Sequence, residues 1–175
     1  MGSGPRFFPV PALIWHSGDT KRARTVPSNQ EGWQHVVPVA ESDESPIATL
    51  MGLSHGMVVQ ELGWDEDVDE DLRTQVMDAI DDEMVEEAVE AVDAVVLWWR
   101  EDDGDVVDGF VDSLTDLSST GVIWLLTPKV GRPGHLPARD VAEAASTAGL
   151  SLTSPVDVSK QWQAQKVVRP KGGRR

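Results

Sequence analysis

A chain of 175 residues, 40% of them hydrophobic and seven of them tryptophan, has the material for one ordinary domain and too little length for two comfortable ones. Its formal net charge of -15 opposes docking on nucleic acid or on anionic membranes, since both require a cationic footprint. Cysteine is absent, which excludes disulfides, thiol nucleophiles and zinc–thiolate sites.

Residues 1–50 differ from the rest. Pro, Gly and Ser are scattered through them, a basic cluster stands at Lys21-Arg22-Ala23-Arg24, and neither strand nor helix periodicity is sustained. They read as a disordered extension, or as residues upstream of a later translation start at Val37, Val39 or Met51. The opening MGSGPRFFPVPALIW lacks the pattern of a signal peptide, because Pro9 and Pro11 interrupt its apolar stretch. No run approaches transmembrane length. A cytoplasmic location is expected.

From Met51 to Pro170 the pattern becomes regular and predicts a single domain. Met57–Leu62 reads as a strand ended by Gly63. Asp67, with Glu70 three residues on, has the spacing of a capping box. The helix behind it places Val68, Leu72, Val76, Met77 and Ile80 on one stripe. Met84–Glu86 reads as a short strand. Ala94–Trp99 is the clearest strand, and alternation sends Trp98 and Trp99 to opposite faces, as expected of a covered central strand. Glu101–Asp105 reads as a turn and helix cap. A second helix follows, from Asp105 to about Leu117, with Val106, Val107, Phe110, Val111 and Leu114 inward. Val122–Leu126 is another apolar strand. The loop Lys129–His135 leads to a third helix with Pro137 near its first turn, Val141, Ala144, Ala145 and Ala148 inward, and Gly149 as its stop. Leu150–Val156 and Gln161–Arg169 close the chain as an antiparallel edge hairpin, and 171–175 form a basic, mobile tail. Such alternation predicts a three-layer α/β sandwich with a mostly parallel central sheet and a C-terminal antiparallel hairpin.

The phrases VVQELGWDED, DAVVLWWR, GVIWLLTPKVGRPGH and WQAQKVVRP, spread over roughly Leu53 to Pro170, resemble the bacterial domain of unknown function 3052 family (DUF3052). The resemblance implies a Rossmann-like domain similar to a trimmed class I methyltransferase. It brings no activity with it.

In such methyltransferases the first strand ends in an acidic residue and runs into a turn of the form E-x-G-x-G-x-G. Glu61 and Gly63 match its opening, whereas Asp65 and Asp67 stand in place of the later glycines. Their side chains occupy space that glycine leaves for close approach. Their charge also faces the carboxylate of S-adenosylmethionine, at roughly 3 kcal/mol for ~6 Å and an effective dielectric of ~20. The expectation is a degenerate loop (Glu61, Gly63, Asp65, Asp67) and no cofactor. Asp65, Asp67 and Asp69 have the spacing that opens a calcium loop, but Glu70 and Val76 replace its required Gly and Glu, so no metal site is expected.

No catalytic residue is predicted. Ser54-His55 and His135 stand in no nucleophile context, and His16 and His35 lie in the N-terminal stretch. The remaining candidates are loop residues expected at the carboxyl ends of the strands: Trp64, Asp65, Glu66, Arg100, Lys129, Arg132 and His135. The cations there read either as salt-bridged to the acids or solvated, or as an anion or acidic-partner site. Trp64 either caps the core or anchors a partner. Together these readings point to a non-enzymatic protein-interaction or regulatory module. The alternative is an enzyme or sensor holding an S-adenosylmethionine-like or nucleotide-like ligand in an altered mode. The Trp162 strand, as an edge, would offer pairing to a second copy, with Lys166 and Arg169 as guards.

Overall fold

The structure is a computed structural model, and it describes residues 45–172. The extension expected over 1–44 and the last three residues of the basic tail lie outside the described residues. Helix α1 (Pro46–Met51) begins five residues before the expected start of the domain. Ser45 caps it by accepting from the Ile47 amide, and Gly52, at φ 65, ends it. Ala48 and Met51 are buried in the core, and the Trp124 indole donates to the Met51 carbonyl at 3.1 Å. Residues 46–50 are therefore part of the domain.

Strand β1 (Val59–Leu62) leads to α2 (Glu70–Ile80), β2 (Val92–Trp98), α3 (Val106–Asp116), β3 (Leu117–Pro128) and α4 (Ala138–Thr147). The chain closes with β4 (Ser151–Leu152), β5 (Val156–Asp157) and β6 (Trp162–Val168). Strands β1, β2 and β3 are parallel neighbours; β6 runs antiparallel beside β3, with Pro128 opposite Trp162, and β4 and β5 pair with its other side. The Trp162 strand is thus an inner strand and not the sheet's edge. The reason is chemical: Trp162, Ala164 and Val167 are apolar enough to be covered on both faces. The outer positions go to β4 and β5, two residues each, with Pro155 between them. Both flanks of β6 being paired, it has no free backbone edge for a second copy.

Two cores sit on the two faces of the sheet. One packs Met51, Leu72, Val76 and Ile80 from α1 and α2 against Val96, Trp98, Trp124 and Trp162. The other packs Val106, Phe110, Val141 and Ala145 from α3 and α4 against Val95, Leu97, Ile123 and Val167. Trp98 and Trp99 do lie on opposite faces, Trp98 in the first core and Trp99 against the second. Two expected core residues are displaced. Val111 is 53% exposed, because the buried face of α3 runs through Val106, Gly109, Phe110 and Ser113. Met77 is half-buried at the margin of α2. Strand β3 starts at Leu117, five residues early, since Ser118-Ser119-Thr120 lack the apolar alternation by which a strand is recognised.

The connection from β1 to β2 determines where a site can lie. After α2 the chain passes Val85, which forms a parallel bridge with Gln60 on the outer side of β1. It then crosses the second face, where Val85 and Ala88 pack, and enters β2 on the other side of β1. The chain leaves β1 toward one side and resumes on the other, so the topological switch point falls between β1 and β2. In doubly wound sheets the ligand crevice opens there, at the carboxyl ends. Among the described residues no helix is long and apolar enough to cross a membrane.

Candidate functional site

At the switch point, Glu61 is the last but one residue of β1 and is buried, at 5% exposure. Three donors claim it. Arg73 of α2 approaches side-on, Nε to Oε1 and Nη2 to Oε2 both at 2.7 Å, and the Trp98 indole donates to Oε1 at 2.9 Å. Such a bidentate, charge-assisted pair is geometrically demanding and strong. The hydrogen bonds that Arg73 donates to Glu61 raise its pKa above the usual arginine range, against the opposing effect of burial. Glu61 is committed within the fold.

Gly63 follows with φ 71, and a Cβ there would lie 2.1 Å from the Trp98 carbonyl oxygen. This glycine is required by the close approach of the ends of β1 and β2. The spacing resembled a cofactor turn, but the neighbour that excludes a side chain is the protein's own backbone.

Arg100, two residues beyond β2, is 6% exposed and occupies the space between these ends. Its Nη1 donates to the Gly63 carbonyl at 2.7 Å, Nε donates to Asp67 Oδ2 at 3.2 Å, and Nη2 donates to Asp67 Oδ1. Asp103 accepts from the Arg100 amide at 2.8 Å and lies 3.5 Å from Nη1. The guanidinium carbon sits 5.0 Å from the ring centroid of Trp162, whose ring meets that of Trp98 edge-on at 4.8 Å. Burial works to lower the Arg100 pKa; hydrogen bonds and Coulomb attraction from Asp67, then Asp103, outweigh it and raise it. One chain of interactions thus joins Arg73, Glu61, Trp98, Trp162, Arg100 and Asp67 across the carboxyl ends of β1 and β2 and the amino end of β6.

The helix cap differs from the sequence reading. Asp69, not Asp67, is the N-cap of α2 and accepts from the Leu72 amide at 3.0 Å, while Glu70 pairs with Arg73 at 2.8 Å. Asp67 lies two residues too early and is taken by Arg100. The cap expected at Asp105 is present, its side chain accepting from the Val107 amide.

The remaining predicted residues do not form one cluster. Asp65 accepts from the Glu66 amide at 2.7 Å, and both are exposed. Trp64 is 53% exposed. Lys129 pairs with Asp157 of β5 at 3.0 Å, and His135 Nδ1 lies 2.8 Å from the Pro128 carbonyl. Of the four cations expected to face the acidic run, only Arg100 meets it. Arg132 is exposed and shares with Asp67, Pro128, Pro133, Gln161 and Trp162 the lining of a cleft of about 330 Å³. Arg73 and Trp98, which hold Glu61, were missed as site residues. Arg73 had a sequence signal, the i, i+3 spacing from Glu70.

The family model described as "Protein of unknown function (DUF3052)" matches residues 48–171. The chain belongs to the DUF3052 family. Proteins of Mycobacterium tuberculosis and Mycobacterium bovis, each named as an uncharacterized protein, are 43% identical to it over 148 residues, covering 84% of this chain and 92% of theirs. Among solved structures, an O-methyltransferase from neocarzinostatin biosynthesis, in complex with S-adenosylmethionine and a naphthoic acid, is similar with a TM-score of 0.52. It is 13% identical, and the match covers 73% of this chain and 51% of that one. A SAM-dependent methyltransferase from Aquifex aeolicus aligns over 73% of this chain and 90% of its own, with 15% identity and a TM-score of 0.46. The strand order, with its switch point between β1 and β2, and the similarity at a TM-score of 0.52 give this DUF3052 domain a Rossmann-like, methyltransferase-like fold.

Proposed function

We propose that this domain is a non-enzymatic protein-interaction or regulatory module of the cytoplasm, built on a methyltransferase-like frame whose ligand crevice is occupied by its own side chains. One observation carries the reading: Arg100, held by Gly63, Asp67 and Asp103 over Trp162, fills the carboxyl end of the β1–β2 switch point. A ligand entering there would have to displace a buried guanidinium. That would leave the cation without its counter-charge, at about 3–5 kcal/mol if both groups were buried and less with Asp67 half in water. Glu61 supports the same reading, because three of its roughly four acceptor sites are already taken by Arg73 and Trp98. The exposed Trp64 beside this plug has the size and amphipathic character of an interface anchor.

Calorimetry of the full chain with S-adenosylmethionine and S-adenosylhomocysteine is expected to give no saturable heat, and micromolar binding of either overturns the reading. A partner retained by the wild type is expected to bind Trp64→Ala about 30-fold more weakly, the loss typical of an aromatic hot spot, with the melting temperature unchanged.

A further inference from the structure

On the α3–α4 face lies a cavity of about 380 Å³ that the switch-point network does not use. Its lining extends from Pro137, the N-cap of α4, to Thr147, the last residue of that helix. Ten helical residues span about 15 Å, so the groove is elongated and suits a chain segment better than a compact metabolite. Val107, half-buried in the first turn of α3, is the open apolar surface of its floor, with the edges of Val106, Leu136 and Ala144, each 4–6% exposed, beside it.

Four carboxylates edge this floor: Glu101, Asp105, Asp140 and Glu143, with no Lys, Arg or His in the lining. Asp105 is engaged as the cap of α3. Glu101, Asp140 and Glu143 have no ion partner among the described residues. The two helix N-termini nearby offset some of this charge, at about half a unit each. Roughly three negative charges remain over an apolar trough. The backbone of Glu101 is held in place, since its amide donates to the Gly134 carbonyl at 3.0 Å just beyond the buried Arg100.

We propose that this groove docks a cationic amphipathic segment of a partner protein, its aliphatic side chains on Val107, Leu136 and Ala144 and its Lys or Arg side chains on Glu101, Asp140 and Glu143. The charge complementarity selects a basic occupant, the apolar floor requires aliphatic contacts, and the length of the groove requires a segment. The inference rests on the reading above only in taking the occupant to be a protein.

The test uses the full chain and a fluorescein-labelled synthetic helix of lysine and leucine, followed by fluorescence anisotropy. A lysine–serine peptide of equal charge is the comparison. The lysine–leucine helix is expected to bind saturably, the lysine–serine peptide at least about tenfold more weakly, and the double variant Asp140→Lys/Glu143→Lys to lose a similar factor. Both substituted side chains are exposed, and an unchanged melting temperature checks that the variant folds. Equal binding of the two peptides, an equal loss from charge reversal at the remote Asp81 and Glu83, or full competition by spermidine each overturns the proposal in favour of general attraction to an acidic surface. S-adenosylmethionine binding with groove binding intact would refute the non-enzymatic reading alone.

Discussion

Gly63 shows how a residue can carry a familiar signal for an unfamiliar reason. Its left-handed φ of 71 and the 2.1 Å approach of a Cβ to the Trp98 carbonyl are demands of the protein's own strand ends. Gly63→Ala is expected to lower stability by about 3 kcal/mol, measured by urea denaturation, since it combines a strained φ with a clash against rigid backbone. A loss below ~1 kcal/mol would mean that the β1–β2 ends can separate. The neighbouring acids were legible as a departure from a glycine-rich turn. Their individual duties were not, because Asp65, Asp67 and Asp69 are chemically alike. Only the position of Arg100, thirty-three residues on, distinguishes Asp67 from the true cap at Asp69.

Among the elements, those with strong periodicity were predictable and those ruled by pairing were not. The buried positions of α2 and α4 follow from apolar spacing, with Met77 at the stripe margin, whereas α3 also buries the small residues Gly109 and Ser113 and leaves Val111 outside. Helix α1 escaped notice because six residues show too little period, and its stability comes from tertiary contacts. The true cap of α2 is testable at this level. Asp69→Ala is expected to cost about 1 kcal/mol by thermal or urea unfolding, whereas Asp65→Ala, which removes only a local bond to the next amide, is expected to cost less than ~0.5 kcal/mol. The end of α3 shows another tertiary device. Arg169, expected to guard an edge, donates to the Ser118 carbonyl at 2.7 Å and lies 3.4 Å from those of Leu114 and Leu117. A cation there satisfies terminal carbonyls and the negative end of the helix dipole.

For the whole molecule, a formal charge of -15 on 175 residues makes self-repulsion a general load on the folded state. The Arg73–Glu61 pair is shielded by burial of its carboxylate and responds little to salt, the Arg100–Asp67 pair is shielded on the arginine side only, and the exposed acids respond strongly. Raising sodium chloride from ~20 to ~200 mM is therefore expected to stabilise the chain by about 1 kcal/mol, or roughly 4 °C in the melting temperature. A fall in melting temperature would mean that surface ion pairs outweigh the repulsion.

Local chemistry was enough to specify the class of fold. The alternation of apolar strands with amphipathic helices, the opposed faces of Trp98 and Trp99, and the acids at 65 and 67 are all properties of neighbouring residues, so a sequence displays them directly. Strand order is decided by contacts between residues far apart in the chain, which leave no local trace. That is why the Trp162 strand proved to be interior, why the bridge at Val85 moves the switch point to β1 and β2, and why Arg100 comes to lie at it.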